Sequence, residues 1–255
     1  MLIRLDKYLA DSGYGTRSEV RSFLRIGRVS VNGVAEKNGA RKVDPDQDRV
    51  TVDQEIVSHV SFEYYMLHKP SGIISASKDK TEKTVVDLIK SKKRRDLFPV
   101  GRLDRDTEGL LIITNDGDMA HKLLSPKKHV EKTYAAIVSG VFPENAVEEF
   151  EHGIDIGDDK LTKPAKFSFS VSTWDIYLKE MYDSLSEERE DLTVCEVRIT
   201  EGRFHEIKRM FQALGLKVEY LKRYSMGSIK LDAKLSPGEY RALTEEEIEL
   251  LASSI

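Results

Sequence analysis

The sequence predicts an α+β protein, a small N-terminal module followed by a larger domain on a mixed, mainly antiparallel β-sheet. Three observations predict it. The 255 residues, 40% hydrophobic and 33% charged, suffice for one large domain plus a small one. Residues 2–57 carry their own helix caps and hairpin turn. From Tyr64 onward β-rich segments are separated by isolated helical patterns, without the regular strand–helix alternation of a doubly wound sheet.

In the module, Leu5, Tyr8 and Leu9 are spaced i, i+3, i+4, which predicts a short helix stopping at Ser12-Gly13. Thr16-Arg17-Ser18-Glu19 reads as a capping box and Gly27 as the stop of a helix of about ten residues. At roughly 100° per residue, Arg17, Arg21 and Arg25 fall within about 80° of one another, with Val20, Phe23, Leu24 and Ile26 on the other side. Val29 to Gly33 alternates into an Asn-Gly hairpin turn. Residues 58–63 read as a linker. The larger domain is expected over 64–240, with strands at Tyr64–His68, Leu110–Thr114, Thr133–Ser139, Lys166–Ser172 and Leu192–Thr200. Helices are expected at Thr84–Ile89, Glu144–Phe150 and His205–Leu214, and a mobile acidic loop at Glu180–Asp191. Residues 241–255 read as a C-terminal tail whose helix, Leu243–Leu251, is opened by Thr244 with Glu247 three residues on.

Composition narrows the function classes. The longest apolar runs fall far short of a membrane span. Charges occupy the positions of Met1 to Tyr8 where a signal peptide needs its apolar centre. Cys195 is the single cysteine, so an internal disulfide framework is excluded, and its alternating surroundings mark it as strand core. The six histidines show no His-x-x-x-His spacing. A cytoplasmic protein without metal or cofactor is expected. The net charge of −4 hides a distribution that matters more. Acid concentrates at Glu187–Asp191 and Glu245–Glu249, whereas basic residues gather at Arg17–Arg28, Lys90–Arg95 and Lys127-Lys128.

Chemistry points to one stretch, Gly101 to Gly117. Acids, arginines and a glycine break form a charged loop that runs directly into the β-branched segment Leu110–Ile113. A strand that apolar belongs in a core, so the loop is held rigidly at the core's edge, where catalytic groups tend to sit. The same residues also fit a plain salt-bridged turn.

Gly101-Arg102-Leu103-Asp104-x-Asp106-Thr107-x-Gly109-Leu110-Leu111 with Thr114 to Gly117 resembles the catalytic motif of the RsuA/RluB group of ribosomal RNA pseudouridine synthases. Leu67–Gly72 resembles the group's first motif, Glu131–Tyr134 its aromatic-bearing segment and Glu201–Met210 its third motif. Arg4–Ala10, Arg17-Ser18 and Gly27–Gly33 resemble the S4 RNA-binding module, over essentially all of 2–57.

The resemblance implies isomerisation of a uridine within RNA: the glycosidic bond breaks at N1, the base rotates, and it rejoins through C5. It places the catalytic carboxylate at Asp104. Attack on C1′, addition to C6 and deprotonation of C2′ stay open as its route. Lys208 matches the basic partner of that aspartate, and Tyr134 would stack on the extruded uracil. Ile207 would pack against the base or Tyr134. Arg102 would fill the vacated space or bind a neighbouring phosphate. Asp106 is expected to hold the loop by accepting backbone N–H groups. The expected RNA contacts are Arg17, Arg21, Arg25, Arg28, Lys69, Arg203 and Arg209, since guanidinium groups suit folded RNA. Glu206 departs from the glutamine common in the family.

Leu161–Ala165 and Pro237–Ile248 look most like the small-subunit branch, which makes a uridine of 16S rRNA, position 516, the expected target and ribosomal RNA the expected partner of a monomer. The other readings are a 23S-directed enzyme of the same family, a non-catalytic S4-domain RNA-binding or assembly protein, and a glycoside hydrolase.

Overall fold

A computed structural model describes residues 2–45, 47–57, 62–90 and 96–254. These form two compact units, divided between Glu63 and Tyr64, with Asp96 and Leu97 joining the first. Most of the expected linker (58–61) and of the basic run after Lys90 (91–95) lies outside the described residues.

In the first unit, β1 (Ile3–Arg4) leads into α1 (Leu5–Leu9), which buries Leu5, Tyr8 and Leu9 as their spacing requires. The chain turns at Gly13, whose φ of 86° suits a residue without Cβ. α2 (Arg17–Arg25) opens on the expected capping box: Thr16 accepts from the Glu19 N–H, and Glu19 accepts from the Thr16 N–H. Val20 and Leu24 are its buried face. Ile26 falls beyond the last turn and is exposed, contrary to its expected place on the packed side. β2 (Val29–Val31) and β3 (Val34–Ala35) form the Asn32-Gly33 hairpin, both turn residues taking positive φ. β4 (Lys42–Val43) pairs with β1, and β5 (Val50–Val52) and β6 (Glu55–Ile56) complete a four-stranded sheet in the order β3-β2-β5-β6. Val29, Val31, Val43, Val50 and Val52 close the core over α1 and α2.

The second unit is built on one nine-stranded sheet. Its strands are β7 (Tyr64–Lys69), β8 (Phe98–Pro99), β9 (Glu108–Thr114), β10 (Lys132–Ser139), β11 (Lys166–Ser168), β12 (Leu192–Ile199), β13 (Lys217–Met226), β14 (Ile229–Lys230) and β15 (Tyr240–Ala242). Their order is β11-β12-β10-β13-β9-β7-β15, with β14 on β13 and β8 on β9. Among the described pairs, β13–β9 is parallel and the others antiparallel, so the sheet is mixed and mainly antiparallel as expected.

The parallel pair is possible because of Gly109. A Cβ there would lie 2.2 Å from the backbone oxygen of Arg223, and the residue's φ is +103°. The helices are α3 (Gly117–Leu124), α4 (Ala146–His152), α5 (Ile176–Ser186), α6 (Glu206–Ala213) and α7 (Glu245–Ser253). Leu110, Ile112, Met66 and Tyr64 pack with Ala120 and Leu123 of α3 and Leu251 of α7. Burying a side chain of this size is worth about 1.5–3 kcal/mol.

Several expectations are corrected. The span expected to be an acidic loop from Glu180 is largely α5, because Leu178, Met181, Tyr182 and Leu185 line up on one face against Ala135, Ile137 and Tyr220. The segment from 241 is no separate tail: β15 pairs with β7, and α7, with the expected Thr244–Glu247 capping box, buries Leu251. The helix expected over Thr84–Ile89 is a short 3-10 helix, Val85–Leu88, opened by Thr84.

Candidate active site

The loop between β8 and β9 is fastened from behind by the end of β7. Lys69 is fully buried, and its ammonium donates to the carbonyls of Pro70 (3.0 Å), Arg105 (3.1 Å) and Thr107 (2.9 Å). The Gly72 N–H donates to the same Arg105 carbonyl. Ser75 closes the other side: its hydroxyl donates to the Leu103 carbonyl (2.7 Å) and accepts from the Leu103 N–H (3.1 Å). Burial lowers the Lys69 pKa to about 8, opposed by Glu108, Asp106 and Asp104. Lys69, expected to contact RNA, is therefore a tether of the loop, because its three hydrogens are spent on carbonyls and none reaches solvent.

Loop 101–107 and the start of α6 enclose a cleft of about 260 Å³ lined by Arg102, Asp104, Tyr134, Phe204, Ile207 and Lys208, among others. The structure thus gathers six sequence-predicted residues (Arg102, Asp104, Tyr134, Arg203, Ile207, Lys208) in one place. Lys208, on the first turn of α6, lies 3.3 Å from the Asp104 carboxylate and 2.5 Å from that of Asp106. Asp106 accepts from its own backbone N–H and also shares the lysine. Its partial burial would raise its pKa, but the hydrogen bond and charge of Lys208 outweigh that and lower it. Arg102 is exposed, and no partner for it is found among the described residues.

Tyr134 and Ile207 are buried beneath the cleft at 7% and 4% exposure. Tyr134 is backed by Arg223, which is itself buried; its Nη1 lies 3.4 Å from the tyrosine hydroxyl and its Nε donates to the Leu110 carbonyl. Sequence reasoning missed Arg223, because a buried arginine in a strand breaks the apolar alternation that marks one.

It also missed His205. This residue caps α6 in the left-handed conformation (φ 50°, ψ 33°), and its Nε2 lies 3.5 Å from Asp104. A non-glycine residue held there costs on the order of 1–3 kcal/mol and clusters at functional sites. The sequence showed it only as the first residue of the expected helix His205–Leu214.

Arg203 and Arg209, expected on phosphates, hold α6 to the 156–161 loop instead. Arg203 donates to the carbonyls of Lys160 (2.7 Å) and Leu161 (2.6 Å), and Arg209 to that of Ile156 and to Asp158 (2.6 Å). With their donors directed at the protein's own loop, they stiffen the site rather than present charge to a strand.

Glu206 is buried, with 4% exposed, and accepts from the Arg203 N–H (2.8 Å). Burial, reinforced by the neighbouring charge of Glu201, raises its pKa to about 7. A protonated Glu206 offers one acceptor and one donor, as an amide does, so the residue suits a position that glutamine fills elsewhere. The folded pKa lies above the ordinary 4.5, so this group's stabilisation is complete below 4.5 and is lost as pH rises through about 7. Glu206→Gln should remove that dependence. Melting curves from pH 4.5 to 8 are expected to show the variant gaining on the wild type by a few kcal/mol toward pH 8, on the order implied by a shift of this size. Parallel curves would contradict the assignment.

In the first unit, Arg17, Arg21, Arg25 and Arg28 are all exposed. Arg21 and Arg25 join Arg4 and Lys37 along a shallow groove of about 250 Å³ that also contains Asp6. Arg28 is bound to Asp53 and lies over the Phe23 ring at 4.5 Å, so its charge is partly committed.

Residues 63–213 match the family model described as RNA pseudouridylate synthase, and residues 3–48 match the S4 domain. A Bacillus subtilis protein named as an RNA pseudouridine synthase, YtzG, is 45% identical over 98% of both chains. Ribosomal small subunit pseudouridine synthase A is 39% identical in Vibrio cholerae and 36% identical in Escherichia coli K12, each over 96% of this chain and 98% of the relative. A crystal structure titled as a pseudouridylate synthase superposes with a TM-score of 0.64 at 35% identity, over 98% of this chain and 99% of the other. With the motif residues gathered around one cleft and both family models matched in order, the chain belongs to the RNA pseudouridine synthase family and carries an S4 domain at its N-terminus.

Proposed function

We propose that this protein converts a uridine of 16S ribosomal RNA, uridine 516, to pseudouridine, with Asp104 as the catalytic carboxylate. The observation that carries the reading is the cleft itself: the Asp104 carboxylate lines it, a lysine stands 3.3 Å from that carboxylate, and a buried tyrosine floors it. Lys208 would orient the carboxylate and keep a positive charge beside it when a base covers the cleft. Tyr134 would stack on the extruded uracil, with Ile207 packed beside it. Arg102, exposed and without a partner among the described residues, would enter the space that the base leaves or bind the adjoining phosphate. The N1–C1′ bond breaks and a C5–C1′ bond forms; the C5 proton passes to solvent and N1 regains a proton. Asp104 is suited to C1′ attack, C6 addition or C2′ deprotonation alike.

The small-subunit target draws support from the relatives that bear that name at 36–39% identity. A binding-only protein would have no need of the Asp104–Lys208 pair. Because the C5 hydrogen leaves, release of tritium from RNA labelled at C5 of uridine tests the reading. Release from 16S but not 23S transcripts is expected; release from 23S alone would move the target to the large subunit, and release from neither would refute the activity.

RNA affinity would come largely from the first unit. Replacing Arg17, Arg21 and Arg25 together with glutamine should weaken binding and flatten the plot of log affinity against log salt by up to about 0.9 per lost phosphate contact. A slope identical to wild type would show that this face does not meet RNA.

A further inference from the structure

Phe204 stands at the cleft with 64% of its surface exposed, although its carbonyl and both neighbouring residues are hydrogen-bonded. The Phe204 carbonyl accepts from Arg209 (3.2 Å), the neighbouring Arg203 N–H donates to Glu206, and the Arg203 side chain is tied to the 160–161 carbonyls. Its ring stacks on the His205 imidazole at 3.8 Å between centroids and 18° between planes. His205 in turn holds its left-handed backbone and reaches Asp104. A lone exposed apolar side chain is an ordinary surface feature. An exposed ring on a rigid loop, stacked on a side chain that touches the central carboxylate, is a prepared surface.

We propose that Phe204, backed by His205, is a stacking platform for the nucleobase next to the uridine that enters the cleft. The inference rests on the RNA-isomerising reading above and adds a second base site to it. A nucleobase fits for three reasons. The ring offers an apolar face and no charge, so it suits a π-surface rather than a phosphate. The cleft, at about 260 Å³, falls below the range that holds drug-sized ligands, so it takes one base and leaves the neighbour at the rim. Tyr134 is almost wholly covered while Phe204 is open, so the two rings serve different bases. Stacking on Tyr134 alone returns less than extrusion of a base costs. A second stacked base reduces that deficit, and the platform is already ordered, so little freedom is lost on binding. The base that lands on Phe204 also presses the His205 ring toward Asp104, linking recognition of the flanking nucleotide to the geometry of the carboxylate.

The test compares wild type, Phe204→Leu and Phe204→Trp on a 16S rRNA fragment carrying 2-aminopurine on one side or the other of the converted uridine. Wild type and Phe204→Trp should quench the fluorescence of one of the two probes. Phe204→Leu should lose that quenching, raise KM about 10-fold and change kcat by only a few fold, with an unaltered salt slope. Matching melting temperatures show that the variants are folded. Quenching and KM unchanged in Phe204→Leu would overturn the platform while wild-type turnover left the isomerase reading intact. A wild type that releases no tritium from any ribosomal RNA would instead overturn the isomerase reading, and the platform with it.

Discussion

Asp104→Asn is expected to abolish isomerisation, lowering turnover by at least about 1,000-fold, or roughly 4 kcal/mol of barrier. Asparagine keeps the shape of the side chain and one acceptor oxygen, so the 104–107 turn and the Ser75 clamp on Leu103 stay in place. What is lost is the negative charge that any of the three routes requires. Lys208 retains Asp106 as a partner, which limits the structural cost. Because affinity for RNA comes mainly from phosphate contacts, binding should stay within a few fold of wild type. Tritium release and filter binding on the same preparations separate the two effects. Turnover near wild type would remove Asp104 from the chemistry.

Gly109→Ala should have the largest effect on stability. The added carbon would sit 2.2 Å from the Arg223 carbonyl oxygen and 2.7 Å from its nitrogen, both backbone atoms that cannot swing aside. The residue also has φ of +103°, which an L side chain resists. Overpacking and backbone strain together predict a loss of about 3–5 kcal/mol, equivalent to roughly 10 °C in melting temperature for a domain of this size. Gly117 is the internal comparison: nothing lies within 4 Å of its added Cβ, and it begins a helix, so Gly117→Ala should be neutral or slightly stabilising. Equal melting temperatures for Gly109→Ala and wild type would contradict the close approach of β9 and β13. Since β9 directly follows the loop that carries Asp104, activity should fall with stability.

The charged loop 101–107 was legible in the sequence because its evidence is local. A charged run that ends in Leu110–Ile113 has to sit at the edge of a core, and it does, with all four of those residues fully buried. The Thr16 and Thr244 capping boxes were legible for the same reason: donor and acceptor lie three residues apart. Long-range commitments were not. Lys69, Arg203 and Arg209 read as cations available to RNA, and only the fold shows them donating to carbonyls 36 to 53 residues away. β13 escaped notice because Lys222 and Arg223, both buried, occupy its centre, which hides a strand behind charge. α5 was obscured by counting acids from Glu180; beginning at Leu178, the apolar residues fall at i, i+3, i+4 and i+7. Glu206 read only as a departure from glutamine, whereas burial raises its pKa to about 7.

The central claim is that one carboxylate in this cleft isomerises one uridine of the small-subunit RNA. Its most direct test is nucleotide-resolution mapping of pseudouridine in 16S and 23S rRNA from cells lacking this chain, complemented with wild type or with Asp104→Asn. A single 16S pseudouridine absent in the deletion, restored by wild type and not restored by the variant is the predicted result. Unchanged ribosomal pseudouridines on deletion, or full restoration by Asp104→Asn, would contradict it.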